Sequence, residues 1–174
     1  MSGPGDAIAA LEARVDELFA LPQGSDVPDD AARVVGELLD ALEAGAVRSA
    51  VIGSDGAWRA VPWVKRGILA GFRFGKLADL SPGDDPFSFV DKDTIPPQRF
   101  SVARGVRIVP GGSTVRRGAY VAPGVVCMPP MFVNVGSYIG AGTMIDSHAL
   151  VGSCAQVGAR CHISAAAQIG GVLE

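Results

Sequence analysis

The sequence predicts a mainly β fold: a left-handed parallel β-helix of hexapeptide repeats over residues 101–174, preceded by a small α-rich domain over residues 1–100. Three observations lead to this prediction. An aliphatic side chain recurs at every sixth residue of the second half, a small residue stands four positions after it, and glycine often follows the aliphatic residue directly. The first half instead shows helical spacing of apolar residues, so the two halves differ in architecture.

The period of six fits neither an α-helix nor an ordinary strand. A helix with 3.6 residues per turn would scatter these side chains around its axis, and an ordinary strand would show period two. Glycine turns with period six are typical of a β-helix in which three hexads close one coil and residues eighteen apart stack. The predicted inward positions are Val109, Val115, Val121, Cys127, Val133, Ile139, Ile145, Val151, Val157, Ile163 and Ile169.

The α-rich domain is predicted to hold three helices and a hairpin. Apolar residues from Ile8 to Phe19 form one helical face, and a second helix follows the acids of Pro28-Asp29-Asp30 and ends near Gly45. Residues 47–52 and 57–61 read as strands around an Asp-Gly turn. Residues 63–74 are a third helix candidate, and residues 80–98, rich in Pro, Asp and Ser, are expected to be a linker or a binding loop.

Composition excludes several classes of protein. The net charge of −3 provides no basic surface for nucleic acid. Three cysteines without a CxxC pair favour a reducing cytoplasm over a disulfide-linked or thiolate-zinc fold. The uncharged run 118–145 is long enough for a membrane span, but its prolines and glycines would break a spanning helix repeatedly. We therefore expect no nucleic-acid partner and no membrane insertion.

The repeat stops within a hexad, at the letters IGGVLE. A β-helix needs a cap over its last coil, because an open coil exposes unpaired backbone and apolar side chains. The repeat in this chain is long enough for about three and a half coils. From this pattern we expect the chain to be a fragment of a longer protein.

Most of the chain from Asp40 onward resembles one family, the tetrahydrodipicolinate N-succinyltransferases of the hexapeptide acyltransferase superfamily. The segments that carry the resemblance are ALEAGAVRSAV, GAWRAVPWVKRGIL, GVRIVP, VNVGSYIGAGTMIDSHALVGSCAQVG and HISAAAQIGGVLE. The resemblance implies a homotrimer that transfers succinyl from succinyl-CoA to the amino group of open-chain tetrahydrodipicolinate, in the diaminopimelate route to lysine. It implies no permanently bound cofactor, with succinyl-CoA as cosubstrate, and the family's later coils carry a functional glutamate and much of the coenzyme A groove.

The resemblance places the family's active-site aspartate on Asp146, which is expected to serve in catalysis and in substrate binding. Asp146 stands directly after the inward Ile145, where other repeats have glycine, so its carboxylate should point out of the coil. A carboxylate there can bind the ammonium group of an amine acceptor and help to remove its proton. The alternative is an interface acid paired with an arginine of another subunit.

The family's substrate-binding arginine falls on Arg107. A guanidinium at the mouth of the β-helix can hold a carboxylate of the dicarboxylate acceptor bidentately. A salt bridge to an acid of the N-terminal domain is the alternative. Gly152, Gly170 and Gly171 are candidates for binding the cosubstrate through backbone N–H groups, although such glycines can equally serve turn geometry alone.

The two histidines suggest weaker alternatives. His148 stands where the best-known members of the family have tryptophan, and it can be a polar interface residue or a general base. A zinc site shared with His162 would need a third imidazole, so no metal site is expected. Cys127 and Cys161 are predicted to point inward and to be inert, and Cys154 to face outward.

Three functions therefore remain open at this point. The first is N-succinyl transfer from succinyl-CoA, and the second is acetyl-CoA-dependent acyl transfer within the same superfamily. The third, of a different class, is a non-catalytic trimeric β-helix scaffold, since this chain is expected to be an inactive or partial fragment.

Overall fold

The computed structural model describes residues 3–81, 83 and 88–173. Three helices are found where they were expected: α1 (Pro4–Ala20), α2 (Ala31–Glu43) and α3 (Pro62–Phe74). They pack against one another around a common apolar core to which all three contribute. α2 ends before Gly45, whose φ of +71° is the left-handed conformation that stops a helix.

Two antiparallel strand pairs accompany the helices. The predicted hairpin is confirmed as β1 (Ala50–Ile52) paired with β2 (Trp58–Ala60), with Asp55 and Gly56 in its turn. The interpretation of residues 80–98 as a linker or loop was incomplete. β4 (Val90–Lys92) lies inside this stretch and pairs with β3 (Leu77–Asp79), and Ile95 is fully buried. Spacing alone missed these three-residue strands, and residues 82 and 84–87 of the stretch lie outside the described residues.

The second half is a parallel β-solenoid of about four turns, which confirms the predicted fold class. Strands eighteen residues apart pair in register, so that Ile145 lies between Cys127 and Ile163. The rungs are β5 (Arg107–Ile108), β6 (Thr114–Val115), β7 (Tyr120–Val121), β8 (Val126–Cys127), β9 (Phe132–Val133), β10 (Tyr138–Ile139), β11 (Met144–Ile145), β12 (Leu150–Val151), β13 (Gln156–Val157), β14 (His162–Ile163) and β15 (Gln168–Ile169).

The first rung departs from the predicted register. Ile108, not Val109, lies opposite Cys127, nineteen residues away instead of eighteen. The additional residue is accommodated between β5 and β6, where Gly111 and Gly112 adopt φ values of +141° and +90° that other residues avoid. The prediction that Val109 points inward was therefore wrong, and the inward column begins at Ile108.

The inner column is buried wherever another coil covers it. Every predicted inward side chain from Val115 to Val157 is buried, with Val133, Ile139, Ile145 and Val151 at 0% exposure. Ile163 and Ile169, on the last two strands of the solenoid, are half-buried.

A second period of six concerns the turns. The residue three places after most inward residues has positive φ: first at glycines such as Gly118 and Gly142, then at His148, Cys154, Arg160 and Ala166. At the corresponding place in the turn after β8 the chain has Pro130. The glycine that directly follows an inward residue does not have this conformation, so the two glycine positions have different roles.

The helical domain packs directly on the solenoid. Val135 of the solenoid lies in the helical core, and Ser49 donates a hydrogen bond to the carbonyl of Gly136 at 2.7 Å. Cys154, expected to face outward, is half-buried against the same core, because its turn lies under the helical domain. The division into residues 1–100 and 101–174 stays a prediction.

Candidate active site

Asp146 lies in the turn between β11 and β12, on the outer surface of the solenoid. Its backbone N–H donates to the carbonyl of Ile163 at 2.9 Å, which fixes the residue to the neighbouring coil. Its Oδ1 accepts a hydrogen bond from the backbone N–H of Ser147 at 2.8 Å. This hydrogen bond orients the carboxylate. The side chain is 31% exposed, so the carboxylate remains accessible.

The other carboxylate oxygen of Asp146 faces a histidine. Oδ2 lies 3.5 Å from Nε2 of His162, whose side chain is 58% exposed. His162 is the outward residue of β14, directly beside Met144 of β11. Stacking residues eighteen apart places His162 beside Met144, two residues from Asp146, and this is the signal in the sequence that could have identified His162 as a neighbour of Asp146.

Arg107 lies on the same sheet, on the edge strand β5. It pairs with Val126 of β8, and β8 in turn pairs with β11. Two strand spacings of about 4.8 Å therefore separate β5 from β11, roughly 10 Å within one chain. The side chain is exposed, and among the described residues it makes no hydrogen bond or ion pair. It does not occupy an inward position, because the one-residue shift of β5 turns Ile108 inward instead.

The neighbouring arginines are engaged elsewhere. Arg116 pairs with Asp91, and Arg117 pairs with Glu43 of α2. Arg104 donates to Oε1 of Gln98 at 2.9 Å. The exposed guanidinium of Arg107 is therefore the best placed of these four to bind an incoming carboxylate.

The three candidate glycines lie at the other end of β12 from Asp146. Gly152 is buried, and its N–H already donates to the carbonyl of Ile169 at 2.8 Å. A Cβ at Gly152 would lie 2.4 Å from the backbone nitrogen of Gly171, so close backbone packing explains this glycine. Gly170 is exposed and Gly171 half-buried. Within one chain the structure does not bring these glycines together with Asp146.

A groove of about 320 Å³ runs along the same corner of the solenoid as Asp146. It is lined by stacked turn and strand residues of three coils, namely Gly112, Thr114, Pro130, Met131, Phe132, His148, Ala149 and Leu150. His148 enters it from the Asp146 turn, with its backbone N–H bonded to the carbonyl of Pro130. The volume is in the range of small-molecule sites.

The described residues show neither a metal-binding cluster nor a membrane-spanning helix. Within residues 3–81, 83 and 88–173 no three His, Cys, Asp or Glu side chains are clustered closely enough to bind a metal ion. None of the helices in the described part of the chain has the length and apolar character needed to cross a bilayer.

Comparison with known proteins extends the resemblance. Residues 10–74 match the family described as tetrahydrodipicolinate N-succinyltransferase N-terminal. A relative from Paramagnetospirillum magneticum is 42% identical over 97% of this chain and 61% of its own length. One from Bradyrhizobium diazoefficiens is 38% identical over the same shares, and one from Granulibacter bethesdensis is 44% identical over 70% of this chain and 45% of its own length.

All three relatives are named 2,3,4,5-tetrahydropyridine-2,6-dicarboxylate N-succinyltransferase. The matches cover regions on both sides of the predicted domain boundary and begin well before Asp40, where the resemblance predicted from the sequence begins. The chain spans about three fifths of the length of the first of these relatives. The family resemblance predicted from the sequence is confirmed: this chain is a relative of the tetrahydrodipicolinate N-succinyltransferases along nearly its whole length.

Proposed function

We propose that this protein is an N-succinyltransferase. It transfers succinyl from succinyl-CoA to the amino group of open-chain tetrahydrodipicolinate, in the diaminopimelate route to lysine. The observation that carries the proposal is an oriented, accessible carboxylate, Asp146, at the same corner of the solenoid as a groove of about 320 Å³, in a chain related to enzymes of that name.

In this proposal Asp146 binds the ammonium group of the acceptor and takes part in its deprotonation. Acyl transfer to nitrogen needs a neutral amine, so a group that binds the ammonium and assists proton loss accelerates the reaction. Arg107 binds one carboxylate of the acceptor through its exposed guanidinium. Gly170 and Gly171 remain candidates for N–H contacts with the cosubstrate, and for Gly152 this role would require breaking its bond to Ile169.

The proposal includes assembly and location. Arg107 and Asp146 are roughly 10 Å apart by strand spacing, and the glycines lie at a different corner, so a complete site would combine faces from adjacent copies in a homotrimer. Succinyl-CoA is a cosubstrate, and no permanently bound cofactor is included. The presence of three cysteines without a CxxC pair is compatible with a cytoplasmic location.

The first test is coenzyme A release, measured chromatographically with succinyl-CoA or acetyl-CoA and the amino-dicarboxylate acceptor. We expect acceptor-dependent release from succinyl-CoA only. Release from acetyl-CoA alone would favour acetyl-CoA-dependent acyl transfer instead. No release from either donor, together with a trimer in analytical ultracentrifugation, would favour a scaffold.

Substitutions test the residue roles. We expect Asp146→Asn to lower kcat at least a hundredfold, the size of a typical general acid–base contribution. Asp26→Asn, a change of an exposed acid in the α1–α2 loop, is the matched control. Full turnover by Asp146→Asn would refute the assignment.

Arg107→Lys replaces a bidentate fork by a single point charge, so we expect the KM for the acceptor to rise about tenfold, equivalent to about 1.4 kcal/mol. The KM for succinyl-CoA should stay the same. An unchanged KM for the acceptor would show that another arginine binds the substrate.

A further inference from the structure

Asp146 and His162 come together through the stacking of coils. Asp146 follows β11 and His162 belongs to β14, and these strands pair in parallel with Ile145 opposite Ile163. The backbone bond from Asp146 N–H to the Ile163 carbonyl holds the two coils at this point. The 3.5 Å between Asp146 Oδ2 and His162 Nε2 thus joins two side chains whose backbones are held in place by the regular ladder.

The contacts of the Asp146 carboxylate determine which of its oxygens and which His162 nitrogen face each other. Because Oδ1 is occupied by the Ser147 N–H, Oδ2 is the oxygen available to the imidazole. With Nε2 protonated and facing Oδ2, Nδ1 carries the free lone pair. The His162 side chain is also more exposed than that of Asp146, 58% against 31%, so the imidazole is more accessible to a substrate.

The proton-transfer chemistry of the two side chains also favours His162 over Asp146 as the base. Imidazole is the side chain suited to accept and return a proton near neutral pH, whereas a carboxylate is a much weaker base. A carboxylate behind an imidazole orients the ring, selects its tautomer and stabilises the imidazolium that forms. The distance of 3.5 Å is long for a hydrogen bond, and such contacts tighten when substrate binds.

We propose that His162 is the general base of this site, and that Asp146 orients it. The inference rests on the proposed function. After the acceptor ammonium has lost its first proton to solvent with the assistance of Asp146, the neutral amine attacks the thioester carbonyl carbon, and the C–N bond forms while Nδ1 of His162 accepts one N–H proton. The C–S bond then breaks, and the thiolate of coenzyme A takes that proton from the imidazolium. The products are the amide and the free thiol.

The charged and titratable neighbours are consistent with this role. Arg160 stands in the turn before β14 and His148 in the turn of Asp146, and Arg107 lies on the same sheet on β5. His148 lines the groove, but among the described residues it makes no contact with Asp146 comparable to that of His162. The geometry therefore favours His162 over His148 as the base.

Removal and chemical rescue of the imidazole test the proposal. We expect His162→Ala to lower kcat for acceptor-dependent coenzyme A release by at least a hundredfold, with the KM for the acceptor changed less than threefold. Added free imidazole should restore part of kcat, because the vacated position is exposed. Gln168→Ala is the matched control, since Gln168 is the exposed outward residue at the same place in the next repeat, and it should keep wild-type kcat.

Two outcomes of this assay would overturn the proposal. The first is a His162→Ala variant that keeps kcat within threefold of wild type. The second is a variant that loses activity and is not rescued by imidazole, because a structural role predicts this result. If the wild-type chain itself releases no coenzyme A, the proposed function fails for this chain, and a second measurement decides on the pair.

That measurement is the 15N chemical shift of the His162 ring nitrogens, recorded at a pH where the imidazole is neutral. In the wild-type chain we expect one tautomer with the proton on Nε2, and in Asp146→Asn a mixture of both tautomers. Identical tautomer populations in the two proteins would overturn the pairing, whatever the activity assay shows.

Discussion

The close packing of successive coils makes a quantitative prediction at Gly140. This buried glycine follows the inward Ile139, and its N–H donates to the carbonyl of Val157 in the next coil at 3.0 Å. A Cβ added here would lie 2.5 Å from the nitrogen of Ala159 and 2.6 Å from the carbonyl carbon of Gly158. Both contacts are far shorter than carbon atoms tolerate, and both involve backbone atoms.

The cost of Gly140→Ala follows from what can move. Overpacking typically costs 1–3 kcal/mol, and the upper end is reached where backbone held by regular hydrogen bonds must shift. Alanine also restricts the unfolded chain, which stabilises by about 0.4–1 kcal/mol but is outweighed here. We therefore expect a loss of about 2–3 kcal/mol, equivalent to about 4–12 °C in Tm for a chain of this size.

Gly158→Ala is the matched control, because Gly158 occupies the same place one coil later. Its added Cβ would meet only the sulfur of Cys161, at an ordinary 3.7 Å. Urea unfolding followed by circular dichroism should place Gly140→Ala well below wild type and Gly158→Ala within about 0.5 kcal/mol of it. Equal midpoints for the two variants would refute the steric argument, because both change the same residue type in the same place of the repeat.

Three other measurements follow from contacts elsewhere in the chain. Burial raises the pKa of the Cys127 thiol to about 12. At pH 8 a thiol-modifying reagent should therefore leave Cys127 unmodified in the folded chain while the other two cysteines react, and all three should react in denaturant. Equal modification rates for all three cysteines in the native state would contradict the burial of Cys127. Arg48 stacks on the Tyr138 ring and donates a hydrogen bond to Oε1 of Gln156 in the solenoid. We therefore expect Arg48→Ala to lower the free energy of unfolding by about 1–2 kcal/mol. Arg59→Ala, in the exposed hairpin, should have little effect on the midpoint of urea unfolding. The hydrogen bond from Arg59 lowers the pKa of Asp55 to about 2. The stabilising contribution of this pair is therefore present above the unfolded pKa of about 3.9 and is lost as pH falls through about 2. In Arg59→Gln, carboxyl titration followed by NMR should show a higher pKa for Asp55, and an unchanged pKa would contradict the pairing.

Much of the fold could be predicted because its signals are local and repeated. Ile139, Ile145 and Val151 recur at steps of six, and each one independently indicates the same inward column. The helices were equally readable, since apolar spacing and end signals such as Gly45 lie within a few residues of one another. Strands β3 and β4 were missed, since three-residue strands carry too little periodicity to be recognised.

The candidate site was predicted in part. Asp146 lies in an outward turn as expected, because its position relative to Ile145 follows from the repeat alone. Its neighbour His162 was not recognised as a partner, since that requires stacking one coil on the next and then comparing side chains on different strands. Cosubstrate binding through the N–H of Gly152 could not be judged from the sequence for the same reason. Whether that N–H is free depends on the carbonyl of Ile169 in the following coil.

The sequence by itself determined the solenoid, its inward column, the helical domain and the outward position of Asp146 in a turn. Only the tertiary structure decided the shift of the first rung to Ile108, the burial of Cys154 against the helical core, and the pairing of Asp146 with His162. The reason is physical. A repeat imprints its period on every hexad, whereas contacts between coils and between domains join residues far apart in the chain, and leave no local pattern from which they can be read.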